Sequence, residues 1–215
     1  MFVHTAENQS WLRARWQALM THLASDRAQA DAAWDALLRH YGEPHRAYHN
    51  LAHVMALLRL ADSERPRINR PEIVELAIWF HDVVYNTREH DNERRSARYA
   101  MQAMRLDREL IPAVEQCILA TERHEAIAPE VPDLPLFLDI DLAILGAPEE
   151  MYHRYAQLIR LEYDWVPEQA YRQGRAAVLR RFLGRPALYF TPSMVARFEA
   201  SARRNIGWEL QELST

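Results

Sequence analysis

The chain has almost no cysteine: Cys117 stands alone among 215 residues. A single thiol excludes an internal disulfide and a thiolate-rich metal site. Its neighbours Val114, Ile118 and Leu119 are apolar, so an inert core thiol is expected. Glycine is scarce too, five in all, against a usual share of about 7%. Runs of β-branched residues are few, no segment alternates convincingly, and no hairpin turn is present. Long apolar runs are missing as well. None reaches the ~18 residues of a membrane helix, and the N-terminus carries no apolar signal core. A soluble cytoplasmic chain with no membrane partner is the expectation. Basic excess is also absent. A formal charge of −4 argues against nucleic-acid binding over the whole surface and leaves room only for a local basic groove.

What is plentiful is Ala, Leu, Arg and Glu, the strong helix formers. An all-α fold follows. Helices are expected over about 10–24, with Trp11, Trp16, Leu19 and Leu23 available for burial, over 29–41, ending at Gly42, and over 48–62. Pro71 suits the first turn of the next helix, where its missing N–H costs nothing. Asp91 can cap a helix reaching about Leu106, and another covers about 109–124. Three prolines make 126–135 a loop. Gly146 closes a short helix, Pro148 and Pro167 open two more, Gly184 with Pro186 ends the second, and Thr191-Pro192 reads as an N-cap followed by a first-turn proline. With no repeat, low-complexity tract or long linker, one domain over 1–215 is expected. Its core is about 45–146, with C-terminal helices over about 148–212.

Chemistry concentrates in three places. Tyr48-His49-Asn50-Leu51-Ala52-His53 carries two histidines four apart, which on one helix share a face. The alternative is a pair of satisfied, partly buried imidazoles. His81-Asp82 follows Ala77-Ile78-Trp79-Phe80 and precedes Val83-Val84-Tyr85. Burying such a dipeptide costs several kcal/mol unless the charge is paired or metal-bound, and near a helix end both side chains can converge on one ion. Asp139-Ile140-Asp141 puts two carboxylates among large apolar residues. A cation compensates them, or helix capping does. Imidazole nitrogen and carboxylate oxygen are the donors a divalent cation prefers.

Other residues are more ambiguous. His90-Asp91 repeats the His-Asp pair inside a polar run, Thr87 to Arg95, and reads as a solvated helix start. Glu93 on that helix can reach the site from behind the ligands. His124 can face the pocket or interact with its helix C-terminus. Arg160, Arg175, Arg180 and Arg181 can neutralise phosphate, although a chain with 26 cations offers as many on any helix surface.

These residues, in this order, resemble the HD superfamily of metal-dependent phosphohydrolases, over about residues 45–146. The superfamily signature is a histidine, a later His-Asp dipeptide and a distant aspartate, all from helices of one bundle. Locally, Tyr48 to His53 is similar to the Tyr-His-Asn-x-x-His segment of class I cyclic nucleotide phosphodiesterases, and Ala120-Thr121-Glu122-Arg123-His124 partly echoes a second of their segments. His81 to Tyr85 with Asp91-Asn92-Glu93, and Ala202-Arg203-Arg204-Asn205, resemble a group of small bacterial HD proteins.

The resemblance implies an HD-type helical bundle. It implies a divalent ion (Mn, Mg, Fe, Co, Ni or Zn, one or two ions) held by His53, His81, Asp82 and Asp141. Asp141 is preferred to Asp139 because the superfamily aspartate commonly stands second in Asp-x-Asp. By that resemblance His49 is the proton donor. Beside it, on the reading of the residues themselves, Asp82 and Glu93 are further catalytic candidates, and His124 and Arg175 are candidates to meet the substrate. An imidazole, with an unperturbed pKa near ~6.5, suits protonation of a leaving alkoxide at neutral pH. Whether His49 or His53 is the direct ligand stays open on register alone. The chain lacks the Gln-x-x-Phe purine clamp, so a small phosphate-containing substrate is implied, with nucleotides among the candidates, and cyclic-nucleotide specificity is not. An HD-fold di-iron oxygenase, with His124 and His90 as extra ligands, and a non-catalytic metal or nucleotide sensor are the competing readings.

Overall fold

The computed structural model describes residues 5–104 and 109–214. Among them the chain is all helical, with ten α-helices and two 3-10 turns and no strand. The expected end of one helix at Leu106 lies outside the described residues. The backbone divides into two compact units, Met1–Phe137 and Leu138–Thr215. No change of composition marks that boundary, which falls inside a helix.

The first unit contains α1 (Ala6–His22), α2 (Arg27–Tyr41), α3 (Leu51–Glu64), α4 (Pro71–Phe80), α5 (Asn92–Ala103) and α6 (Ile111–Ala120). Helix α7 (Leu134–Asp141) carries the division. The organising element is α4, whose residues are all buried from Ile73 to Phe80. A helix apolar on every side belongs at the centre of a core. Trp79 meets Trp16 edge-on at 5.5 Å and Trp34 at 6.1 Å, and Phe80 meets Trp16 at 6.0 Å. Such edge-to-face pairs add about 0.5–1.5 kcal/mol beyond their burial. Trp16 Nε1 donates to the Ala30 carbonyl at 2.9 Å, and the Tyr41 hydroxyl donates to the Trp79 carbonyl at 3.0 Å, whereas the buried Trp79 Nε1 has no hydrogen-bond partner among the described residues.

One polar residue on α4 needs compensation. Glu75 is buried, and Arg15 closes on it with two parallel bonds of 3.0 and 2.7 Å. The N-terminus of α4 is capped from a distance. The buried Asp133 carboxylate accepts from the backbone N–H of Asn69 at 2.9 Å and of Arg70 at 2.7 Å. With Pro71 in the first turn, orphan N–H groups at this end are met and a negative charge sits where the helix dipole favours it. The start of α4 is thereby anchored.

The second unit contains a 3-10 turn, Leu142–Gly146, then α8 (Glu149–Glu162), α9 (Glu168–Leu183) and α10 (Pro192–Glu212). The turn lies so close to α10 that a Cβ on Gly146 would stand 2.6 Å from the Phe198 Cβ and 2.8 Å from its carbonyl oxygen. Only glycine permits this approach. Asn205 donates to the carbonyls of Leu145 at 2.8 Å and Ala147 at 2.9 Å. Arg203 reaches the carbonyls of Leu183, Arg185 and Pro186 at the end of α9. The Ala202-Arg203-Arg204-Asn205 segment thus satisfies backbone that the helices leave unpaired.

Candidate metal centre

Helix α4 ends at Phe80, with His81 in the C-cap position and its N–H bonded to the Ala77 carbonyl at 2.8 Å. Its ring is 1% exposed. Nδ1 lies 3.0 Å from the Ile78 carbonyl. A carbonyl oxygen only accepts, so Nδ1 carries the hydrogen and Nε2 presents its lone pair in the neutral ring. That lone pair faces Asp82 Oδ2 at 3.0 Å and His53 Nε2 at 3.2 Å. The third side of the triangle, His53 Nε2 to Asp82 Oδ2, is 3.9 Å.

Even with His53 donating to His81, lone pair faces carboxylate along the 3.0 Å edge. Either a proton or a cation must lie there. Three donor atoms this close fit a shared ion: at about 2.1 Å from the metal, neighbouring ligands stand roughly 3.0–3.4 Å apart. The set of two imidazole nitrogens and one carboxylate oxygen suits a borderline divalent cation. Burial disfavours the ionised Asp82, but the neighbouring charges of His81 and His49, the hydrogen bond from His81 and the charge of His53 outweigh it, and the carboxyl is held below the usual carboxylate range.

The first histidine segment is not one helix. Helix α3 begins at Leu51, and Asn50 is its N-cap, with the side-chain oxygen accepting from the Ala52 N–H at 2.8 Å. His53 is in the first turn, buried, while His49 precedes the cap in a half-exposed turn. The helix expected from about Tyr48 is therefore shorter, because asparagine competes for helical N–H groups and starts helices rather than continuing them. The two imidazoles still come together, with centroids 5.7 Å apart. His49 packs 4.3 Å from the Tyr85 ring, 30° from parallel, and Tyr48 lies 5.0 Å from both His49 and His53.

The backbone after His81 has no regular partner, and side chains satisfy it. Arg46 Nη1 donates to the Asp82 carbonyl at 2.6 Å and Nη2 to the Val83 carbonyl at 3.0 Å. The Ser96 hydroxyl accepts from the Val84 N–H at 3.0 Å and donates to its carbonyl at 3.1 Å. His45 donates to the Tyr85 carbonyl at 2.8 Å, and Asn92 takes both the N–H and the carbonyl of Asn86 at 2.9 Å. Arg46, His45 and Ser96 did not stand out in the sequence, and Asn92 did so only as part of Asp91-Asn92-Glu93. Asn92 sits in the polar run that reads as solvated, Ser96 just beyond it, and only the burial of Ser96 reveals its work.

Glu93, half-exposed in the first turn of α5, feels the charge of Asp82. Burial first, then Asp82 and Glu122, raise its carboxyl above the usual range, while His124 opposes the shift. Glu93 is thus in electrostatic reach of both Asp82 and His124. His124 itself has left-handed backbone, φ 51°. His90 and Asp91 are exposed, and Asp91 stands in the N-cap position of α5 without a side-chain cap bond.

The remaining candidates belong to the second unit. Asp139 is fully buried, and its carboxylate accepts from the N–H of Phe190 at 2.7 Å, the N–H of Thr191 at 2.8 Å and the Thr191 hydroxyl at 2.6 Å. Thr191 stands in the expected N-cap position of α10 with Pro192 in the first turn, and Asp139 anchors the chain just before the helix. The Thr191 hydroxyl donates to Asp139 and makes no cap bond of its own. Asp141 is half-exposed and within electrostatic reach of Tyr155. Arg175 is paired twice with the buried Glu209, at 2.7 and 3.1 Å, and its Nη2 donates to the Tyr155 hydroxyl at 3.3 Å. Arg160 closes the end of α8 on the Tyr163 and Val166 carbonyls, whereas Arg180 and Arg181 are exposed on α9.

No family model matches the chain, and no curated protein or solved structure matches it.

Proposed function

We propose that this chain is a metal-dependent phosphohydrolase of the HD type, acting on a small phosphate ester. The observation that carries the reading is the convergence of His53 Nε2, His81 Nε2 and Asp82 Oδ2, with edges of 3.2, 3.0 and 3.9 Å. These three residues would hold the ion. The resemblance adds Asp141 as a further ligand, on its sequence motif alone. A divalent ion bound there would supply an acidified water and a Lewis acid for the phosphoryl oxygen.

The chain's own groups supply the rest. His49 stands beside the triad and not within it, so it is suited to protonate the leaving alkoxide as the P–O bond breaks. Asp82, kept ionised, accepts hydrogen bonds and can take the proton of the attacking water. Glu93, whose carboxyl is raised by burial and by the charge of Asp82, is a further candidate for moving a proton. His124 and Arg175 remain candidates for the phosphate on residue type alone, and Arg175 is already paired with Glu209.

The test is a metal-by-substrate panel. Purified protein with Mn, Mg, Fe, Co, Ni or Zn is offered phosphomonoesters, phosphodiesters, nucleotides and pyrophosphates, and phosphate or alcohol release is measured. Metal-dependent release that disappears in Asp82→Ala supports the reading. Binding of metal with no turnover of any substrate would remove the hydrolase and leave a metal-binding sensor.

A further inference from the structure

The candidate centre is assembled from two segments, the turn before α3 with the first turn of that helix, and the turn after α4. His45 ties the first to the Tyr85 carbonyl of the second, and Arg46 makes the larger set of bonds between them. Arg46 has 0% side-chain exposure. Its Nη1 donates to the carbonyls of His49 at 3.2 Å and Asp82 at 2.6 Å, and Nη2 donates to Val83 at 3.0 Å. Nε is held by Glu43 at 2.9 Å. The guanidinium plane lies 5.2 Å from the Tyr41 ring and 5.5 Å from the Tyr85 ring.

A buried cation is costly unless every donor finds an acceptor. Here the acceptors are backbone carbonyls of the very residues assigned as proton donor and ligand. The rigid planar fork fixes the separation between those carbonyls, which a flexible ammonium cannot do. We propose that Arg46 is a positioning residue. It holds the backbone of Asp82 against the turn that leads into the helix bearing His53 before any ion arrives, and so sets the affinity of the centre for metal. This rests on the metal-binding reading above. Arg46 touches neither ion nor substrate. Outer partners of this kind typically alter metal affinity by about ten- to hundredfold.

The experiment compares wild type with Arg46→Lys and Arg46→Gln, and with Arg15→Met, which breaks the Glu75 pair elsewhere in the first unit. Co2+ affinity is measured by calorimetric titration alongside thermal stability. Both Arg46 variants should bind Co2+ about ten- to hundredfold more weakly. Arg15→Met should lose stability and keep wild-type affinity. Equal affinity in Arg46→Lys and wild type overturns the proposal, as does an affinity that simply follows stability across all variants. A wild type that fails to take up Co2+ defeats the metal reading instead. The positioning claim is then decided by amide exchange in the metal-free protein. Exchange over 46–50 and 82–86 should quicken together in Arg46→Lys, with α1 and α2 unchanged, and unchanged exchange in both segments overturns it.

Discussion

His81 Nε2 stands 3.0 Å from Asp82 Oδ2, although neighbours on a continuous helix point about 100° apart. The contact exists because α4 stops at Phe80 and the chain turns at the dipeptide. With Nδ1 of His81 committed to the Ile78 carbonyl, only a shared proton or cation reconciles the pair. Asp82→Ala is therefore expected to lose bound metal and activity together while retaining its helical circular dichroism. Metal analysis of the purified variant checks this, and full occupancy would remove Asp82 from the ligand set.

His49 and His53 are expected to separate in behaviour. His53 is buried with Nε2 against His81, whereas His49 is half-exposed against Tyr85. His53→Ala should lose metal. His49→Ala should keep metal and lose turnover by ~10²–10⁴-fold. The deficit should shrink for a nitrophenyl ester, whose leaving group needs no proton. Metal lost from His49→Ala and retained in His53→Ala would exchange the two roles.

The Asp82 carboxyl is depressed by its imidazole neighbours against the effect of burial. Such a group stabilises the fold above its unfolded value, about 3.9, and the contribution disappears as pH falls through the lower folded value. The metal-free wild type should exceed Asp82→Asn in stability most clearly between about pH 4 and 6, where imidazoles are charged. The margin should close at lower pH. Urea titrations across pH 2.5–7 would measure it, on the order of steps used for such linkage. A margin that widens on acidification would contradict the depressed value.

Asp139 gives the opposite kind of prediction. Its carboxylate satisfies Phe190 and Thr191, so Asp139→Ala leaves three part-buried donors without this acceptor and should destabilise by about 1–3 kcal/mol. Metal affinity should be untouched. A variant of wild-type stability that binds metal poorly would return Asp139 to the ligand candidates.

Cys117 is fully buried, and burial pushes its thiol up to about 12. It should resist a disulfide-exchange reagent in the native protein and react at once in denaturant. Rapid native reaction would mean that the core around α6 opens readily.

The helical class was legible because it rests on local terms: few glycines, strong helix formers and a 3.6-residue apolar period. So did the central place of α4, since a helix apolar on all faces has nowhere else to go. The His-Asp dipeptide stood out for the same reason, as a charge inside an apolar run. What the sequence could not yield was anything that depends on which carbonyl lies unpaired. Spacing suggested one helix from about Tyr48, and Asn50 divided it by capping α3. Asp139 and Asp141 looked alike as two carboxylates in an apolar segment, and the hydrogen bonds of Phe190 and Thr191, some fifty residues away, gave Asp139 its work. The work of Arg46, Ser96 and Asn92 was not legible because their partners are backbone atoms of another segment, and any residue type exposes the same N–H and C=O. Side-chain type fixes which groups can bind an ion. Tertiary structure alone decides where helices leave backbone without regular partners, and beside His81 and Asp82 that backbone is met by Arg46 and Ser96.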